Sequence, residues 1–157
     1  MFFHKIRPVS IDSKGRLAIP TCFRDDMASA GDRQLVLTMS LHSNGCLWLY
    51  PRQRWEEDCQ RVLQDRDQDG NPIRPTRARQ RAKMRLLSMA EPLEPDASWR
   101  ILLPSEHRDA AGLDREARFT GSGTRFEIWS LEALAKMRGD DLDALDDVFE
   151  DEEFAIL

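Results

Sequence analysis

Lys14 and Arg16 stand on either side of a glycine in Ile11–Pro20, IDSKGRLAIP, where a polar turn joins two apolar segments. An ammonium group is a point charge that suits a phosphate, while a guanidinium fork matches two acceptors on one base edge. Three neighbours have structural work to do. Asp12 is placed to accept hydrogen bonds from the turn's backbone, as an Asx turn does. Gly15 supplies the positive φ that closes the turn, and Pro20 ends the following strand. None of these tasks needs a lysine at the apex. Arg16 either pairs with Asp12 or points outward beside Lys14, so both cations are candidate binding residues.

Other chemistries find little support. Ser13 has no base within its motif, and Gly15 does not belong to a Gly-x-Ser-x-Gly elbow. Walker, HExxH and kinase signatures are lacking. His4, His42 and His107 are scattered, and Cys22, Cys46 and Cys59 form no Cys-x-x-Cys spacing. The reading is of reduced thiols, with no catalytic residue, metal, cofactor or small-molecule substrate. The N-terminal MFFHKIR has no signal-peptide apolar region, and the longest apolar run, Cys46–Tyr50, is too short to cross a bilayer. A cytoplasmic protein without membrane contact is expected.

The formal charge of −5 over 157 residues conceals an uneven distribution. Residues 140–153 hold nine acids and no base; without them, 23 bases face 19 acids. Local potential decides whether an anionic partner can approach, so the acidic total does not exclude one.

The elements that position the turn are built twice. Asp12, Arg16, Pro20, Arg24 and Asp25 recur 84 residues later as Asp96, Arg100, Pro104, Arg108 and Asp109. After each proline comes a short helical segment, with Thr21 or Ser105 suited to capping it. A hairpin follows in both halves: QLVLTM and CLWLYP around Asn44-Gly45, then ARFT and RFEIW around GSGT. Each half closes on a helix, PRQRWEEDCQRVLQ or SLEALAKMR. Half-units of about 45 residues are hard to stabilise alone. The pattern therefore predicts a β-rich α+β fold whose halves interleave around a pseudo-twofold axis, with both turns close together on one face.

MFFHKIRPVSIDSKGRLAIPTCFRD and DASWRILLPSEHRD resemble the MraZ family, built from two SpoVT/AbrB-type half-barrels, over nearly the whole chain up to Arg138. The resemblance implies duplicated swapped-hairpin half-barrels forming one β-barrel core with short flanking helices. It divides the chain into a first repeat (1–65), a basic linker helix region (66–90), a second repeat (91–138) and an acidic tail (139–157). It further implies a ring-shaped homo-oligomer, cytoplasmic and nucleoid-associated. Such a protein would bind short G-rich direct repeats in double-stranded DNA and regulate the cell-division and cell-wall operon containing its own gene. The family's DNA-contacting motif falls on Asp12, Ser13, Lys14, Gly15 and Arg16, and again on Asp96 and Arg100. Two departures stand out. Trp99 replaces the usual glycine before the second arginine, so that turn is expected not to copy the first. His4-Lys5 replaces the usual Arg-Gly near the start when Phe3 is matched to the family's phenylalanine. An AbrB-fold antitoxin binding a partner through its C-terminal tail is the alternative.

Two segments remain. Residues 74–90 read as a helix capped by Thr76, with Arg77, Arg81 and Arg85 at i, i+4 spacing, paired with Glu56, Glu57 and Asp58 of the preceding helix or contacting phosphate. Leu86, Leu87, Met89 and Ala90 would face the core or a neighbouring subunit. The tail is either a disordered solubilising extension or an amphipathic helix using Leu142, Leu145, Val148 and Phe149; its acids would compete with DNA for a basic surface.

Overall fold

The computed structural model describes residues 6–29, 33–40 and 45–148, with side chains for all of these except 29 and 140–148. The chain runs β1 (Ile6–Ser10), β2 (Arg16–Ala18), α1 (Thr21–Ser29), β3 (Leu35–Met39), β4 (Leu47–Pro51), α2 (Arg52–Leu63) and α3 (Arg77–Ser88). The second half follows as β5 (Glu91–Leu93), β6 (Arg100–Leu102), α4 (Ser105–Ala110), β7 (Glu116–Gly121), β8 (Phe126–Ser130) and α5 (Leu131–Val148). This is a mixed α+β fold. Every residue of β3 and β4 is buried. Strands covered on both faces read as nearly continuous apolar runs, as LVLTM and LWLYP do.

Six strands form one antiparallel sheet in the order β1-β7-β8-β4-β3-β5, and β2 and β6 form a separate ribbon. Exchanging β1–β4 for β5–β8 leaves that order the same, read backwards. Each half lends its first strand to the other half's hairpin: Ile6 lies opposite Thr120, and Leu35 opposite Leu93. The halves also meet directly, with Trp48 opposite Glu127 and Leu17 opposite Ile101. The outer strands β1 and β5 do not pair with each other, so the described residues form no closed barrel. The three-residue strands β2 and β6 form their ladder with each other instead, joined to the preceding segment by one Ile11–Leu17 bridge.

Two cores result. One gathers Leu17, Ile19, Ile101 and Leu103 around Phe23, whose ring lies 5.4 and 5.3 Å from those of Phe119 and Phe126. The other joins Trp48, Tyr50 and Trp129 to Val62 of α2, Leu86 of α3 and Leu134 of α5. Here the Glu127 carboxylate accepts from the indoles of Trp48 (3.1 Å) and Trp129 (3.2 Å). Arg125 lies 3.6 Å from the same carboxylate and stacks 3.7 Å above the Trp48 ring. Burial pushes the Tyr50 hydroxyl up to about 12. It also raises the Cys46 thiol, leaving no reactive thiolate there.

Several local expectations change. Ser105 does not cap α4: Pro104 holds the N-cap position without a side-chain hydrogen bond, its fixed φ of −58° already suited to entering a helix. Thr76 does cap α3, accepting the Arg79 N–H at 3.1 Å. The ion-pair partner of α3 is Asp65, reached by Arg79 (2.8 Å) and Lys83 (2.6 Å). Asp58 instead serves Arg54 and Arg61 of its own helix, while Glu56 and Glu57 pair with Arg52 and Arg54. Helical i, i+3 and i, i+4 partners are nearer to these acids than another element is. Leu86 is buried, whereas Leu87 is exposed. Helix α5 continues to Val148. His4-Lys5, Asn44, Phe149 and the side chains of Leu142, Leu145 and Val148 lie outside the described residues.

Candidate nucleic-acid interface

The first turn is tied to a single carboxylate. Asp12 Oδ1 accepts the backbone N–H groups of Lys14 (3.0 Å) and Arg16 (2.8 Å), while Oδ2 accepts Arg16 Nε at 2.9 Å. The main chain closes the same loop: Asp12 N–H donates to the Arg16 carbonyl and Gly15 N–H to the Asp12 carbonyl, at 2.9 and 3.0 Å. Donation by the Arg16 backbone N–H is the chief reason the Asp12 carboxyl is held below its usual range; the Arg16 side chain and the Lys14 N–H add to it, and desolvation opposes it.

The second turn repeats these bonds. Asp96 Oδ1 accepts Ser98 N–H and Arg100 N–H, both at 2.9 Å, and Oδ2 accepts Arg100 Nε at 2.9 Å. The expectation that Trp99 prevents the copy is wrong. Trp99 takes φ +59°, in the left-handed region where Gly15 has φ +83°. For a residue with a Cβ that conformation costs roughly 1–2 kcal/mol. Two contacts hold the indole there: it packs on the main core, and the Arg33 guanidinium lies 4.2 Å from the ring centroid. Arg33 Nη2 also donates to the Asp96 carbonyl at 2.6 Å.

A third turn, Asp67–Asn71, makes the same backbone and Oδ1 hydrogen bonds outside the repeat, without the Oδ2–arginine bond, while Arg66 Nη1 donates to its Gly70 carbonyl at 2.8 Å. Asp67 Oδ1 accepts the N–H groups of Asp69 and Asn71 at 2.9 and 2.8 Å, and Gly70 has φ +82°. Here an aspartate occupies the place of Lys14 and an asparagine that of Arg16. The backbone and Oδ1 bonds therefore form without a cation at either of these two positions. DQDGN carries the Asp and Gly spacing of DSKGR, so the sequence held this comparison.

The ribbon brings the two arginines together. Arg16 lies opposite Leu102 and Ala18 opposite Arg100. Leu17 and Ile101 point into the core, so alternation turns Arg16, Ala18, Arg100 and Leu102 to the other face. The turns open from opposite ends of the ribbon, yet both arginines share its outward face. As diagonal neighbours their Cα atoms are about 7–8 Å apart. Each is half-exposed, with Nε committed to its aspartate. Lys14 and Ser13 are exposed at the first tip, and Ala97 and Ser98 at the second.

One neighbour escaped the sequence reading. A Cβ on Gly15 would stand 2.9 Å from Cζ of Arg108, whose Nε donates to the Leu103 carbonyl at 3.1 Å. Arg24, its counterpart, makes the same bond to Ile19 at 2.8 Å. The second half thus brings a cation onto the first half's turn. The 84-residue offset marked both arginines but not whose turn they cover. Gly15 is consequently buried and its N–H is used within the turn. Pro20 and Pro104 lead directly into α1 and α4.

The chain matches the family model described as "MraZ protein, putative antitoxin-like" over residues 2–70 and 86–141. A Stenotrophomonas maltophilia protein named transcriptional regulator MraZ is 40% identical over 125 residues, 80% of each chain. One so named from Hydrogenovibrio crunogenus is 39% identical over 144 residues, covering 92% of this chain and 90% of the relative. Another, from Bordetella pertussis, is 35% identical over 134 residues, or 85% and 86%. Both turns and the ribbon fall within the matched family segments, whereas 71–85 and 142–157 lie outside them.

Proposed function

The chain belongs to the MraZ family, and on that premise we propose that it is a transcriptional regulator that reads double-stranded DNA through the outward face of the β2–β6 ribbon. The observation that carries this reading is the third turn: its backbone and Oδ1 bonds form without counterparts of Lys14 and Arg16, which leaves the Lys14 ammonium and the terminal nitrogens of Arg16 for another use. A two-stranded ribbon fits the major groove, where guanine offers N7 and O6 to a guanidinium. Asp12 holds Arg16 by Nε, leaving the two terminal nitrogens to reach a base edge. Arg100 repeats this about two base steps away, given the ~3.4 Å rise per base. Lys14 and Ser13 meet phosphate, with Arg108 adding positive charge beside the turn.

The finer expectations belong to the same proposal. The strand order supports reading each half as an AbrB-like swapped-hairpin unit, with 1–65 and 91–138 as repeats, 66–90 as linker and 139–157 as tail. A ring of such chains would present several ribbons at once, raising affinity by effective concentration on G-rich direct repeats. The cell-division and cell-wall operon containing its own gene, cytoplasmic location and nucleoid association complete that picture. The family description also favours a second reading, an antitoxin, which predicts a basic protein partner co-purifying through the tail.

Arg16→Ala tests the DNA reading. The variant is expected to lose sequence-specific shift of promoter DNA by about 5- to 150-fold, each arginine–guanine pair contributing about 1–3 kcal/mol. Its oligomer size by light scattering should not change. Undiminished specific binding would overturn the proposal.

A further inference from the structure

The DNA reading uses two of the four outward residues of the ribbon, leaving a leucine beside one of them. Leu102 is 56% exposed, between Ile101 and Leu103, which are fully buried. It stands directly opposite Arg16, and the smaller Ala18 stands opposite Arg100. The core does not require an apolar residue at 102, because alternation already directs that side chain to solvent. Nor does the ladder require it, since strand pairing uses the backbone.

We propose that Leu102 determines sequence preference by packing on the C5 methyl of a thymine next to the guanine held by Arg16. This rests on the DNA reading above. Directly opposed residues have Cβ atoms about 4.5–5.5 Å apart, and successive base pairs are separated by ~3.4 Å. With Arg16 on one base edge, the opposed side chain lies over the adjoining pair. The thymine methyl is the apolar group that the major-groove edge presents; the other features there are hydrogen-bond donors and acceptors. A leucine gains from the methyl and leaves the polar edges without partners, which disfavours the other bases. Ala18 is too short to do the same beside Arg100. The pseudo-twofold ribbon is therefore asymmetric in what it reads, and this fixes the direction in which it lies on DNA.

The test uses the full chain and a duplex selected by it from a random pool. Binding is compared with a duplex in which each thymine beside a guanine is replaced by deoxyuridine, which lacks the methyl. The wild-type chain should lose about fourfold per contacted methyl, the equivalent of one buried methylene. Leu102→Ala should bind both duplexes alike while keeping its dependence on Arg16, and its unfolding midpoint should match that of the wild type. Arg16-dependent binding that ignores deoxyuridine, or a Leu102→Ala variant as sensitive as wild type, overturns the role of Leu102 alone. Absence of any Arg16-dependent binding overturns the DNA reading and this inference with it.

Discussion

Trp99→Ala and Trp99→Gly together isolate the strain in the second turn. Glycine ordinarily destabilises relative to alanine by roughly 0.5–1 kcal/mol, because it loses more backbone freedom on folding. At φ +59° the order should reverse. Alanine keeps the left-handed penalty of roughly 1–2 kcal/mol, and glycine sheds it. Both variants lose the same indole: its packing on the main core, about 2 kcal/mol, and its stacking under Arg33, about 0.5–1 kcal/mol. Trp99→Ala should thus fall about 3 kcal/mol below wild type, with Trp99→Gly about 0.5–1 kcal/mol above the alanine variant. Urea unfolding at one fixed protein concentration reads this as two midpoints with a common slope. Heating should separate the two variants by about 1–4 °C. An alanine variant as stable as the glycine one, or more so, would refute the claim that position 99 stores strain.

Other outcomes follow from the same contacts. Gly15→Ala should destabilise by about 1–2 kcal/mol from φ alone, and more because its Cβ would meet Arg108; thermal unfolding reads the loss. Asp12 and Asp96 have folded-state values below the ordinary 3.8, so the stability they contribute is present above that value and lost as pH falls through the depressed values. Asp12→Asn/Asp96→Asn should flatten the acid side of the urea-midpoint profile; an unchanged profile would refute the assignment. Glu127→Ala strands two indole donors and Arg125, and should cost about 2–4 kcal/mol with a change in tryptophan fluorescence. Truncation after Arg138 removes the nine acids and should raise affinity for a random-sequence duplex at low salt; unchanged affinity would rule out competition by the tail.

The repeat made the element positions legible because apolar periodicity and turn residues are local signals, and both hairpins lie where QLVLTM, CLWLYP, ARFT and RFEIW place them. The pairing of β1 with β7 and β5 with β3 was not legible in detail, since partner choice across more than fifty residues leaves no local pattern. Trp99 departs from expectation for a different reason. Propensity assigns left-handed backbone to glycine, whereas packing and Arg33 outweigh a penalty of roughly 1–2 kcal/mol here. The aspartate bonds around Arg16 could be drawn from the spacing in DSKGR; the placement of Arg108 over Gly15 needed the tertiary fold. The ion-pair assignments for α3 failed because charge spacing shows which groups can reach along a helix and not which element packs beside it.

The exchange of first strands between halves also sets a timetable for synthesis. Ile6 emerges from the ribosome 114 residues before its partner Thr120. At ~5–20 residues per second, the first strand waits roughly 6–23 s for the hairpin that receives it. Throughout that interval the nascent chain carries an unpaired strand, and on a polysome a neighbouring chain's later half is available sooner than its own. Strand exchange between nascent chains is thus a kinetic hazard built into this topology, and slowing translation between the halves would enlarge it.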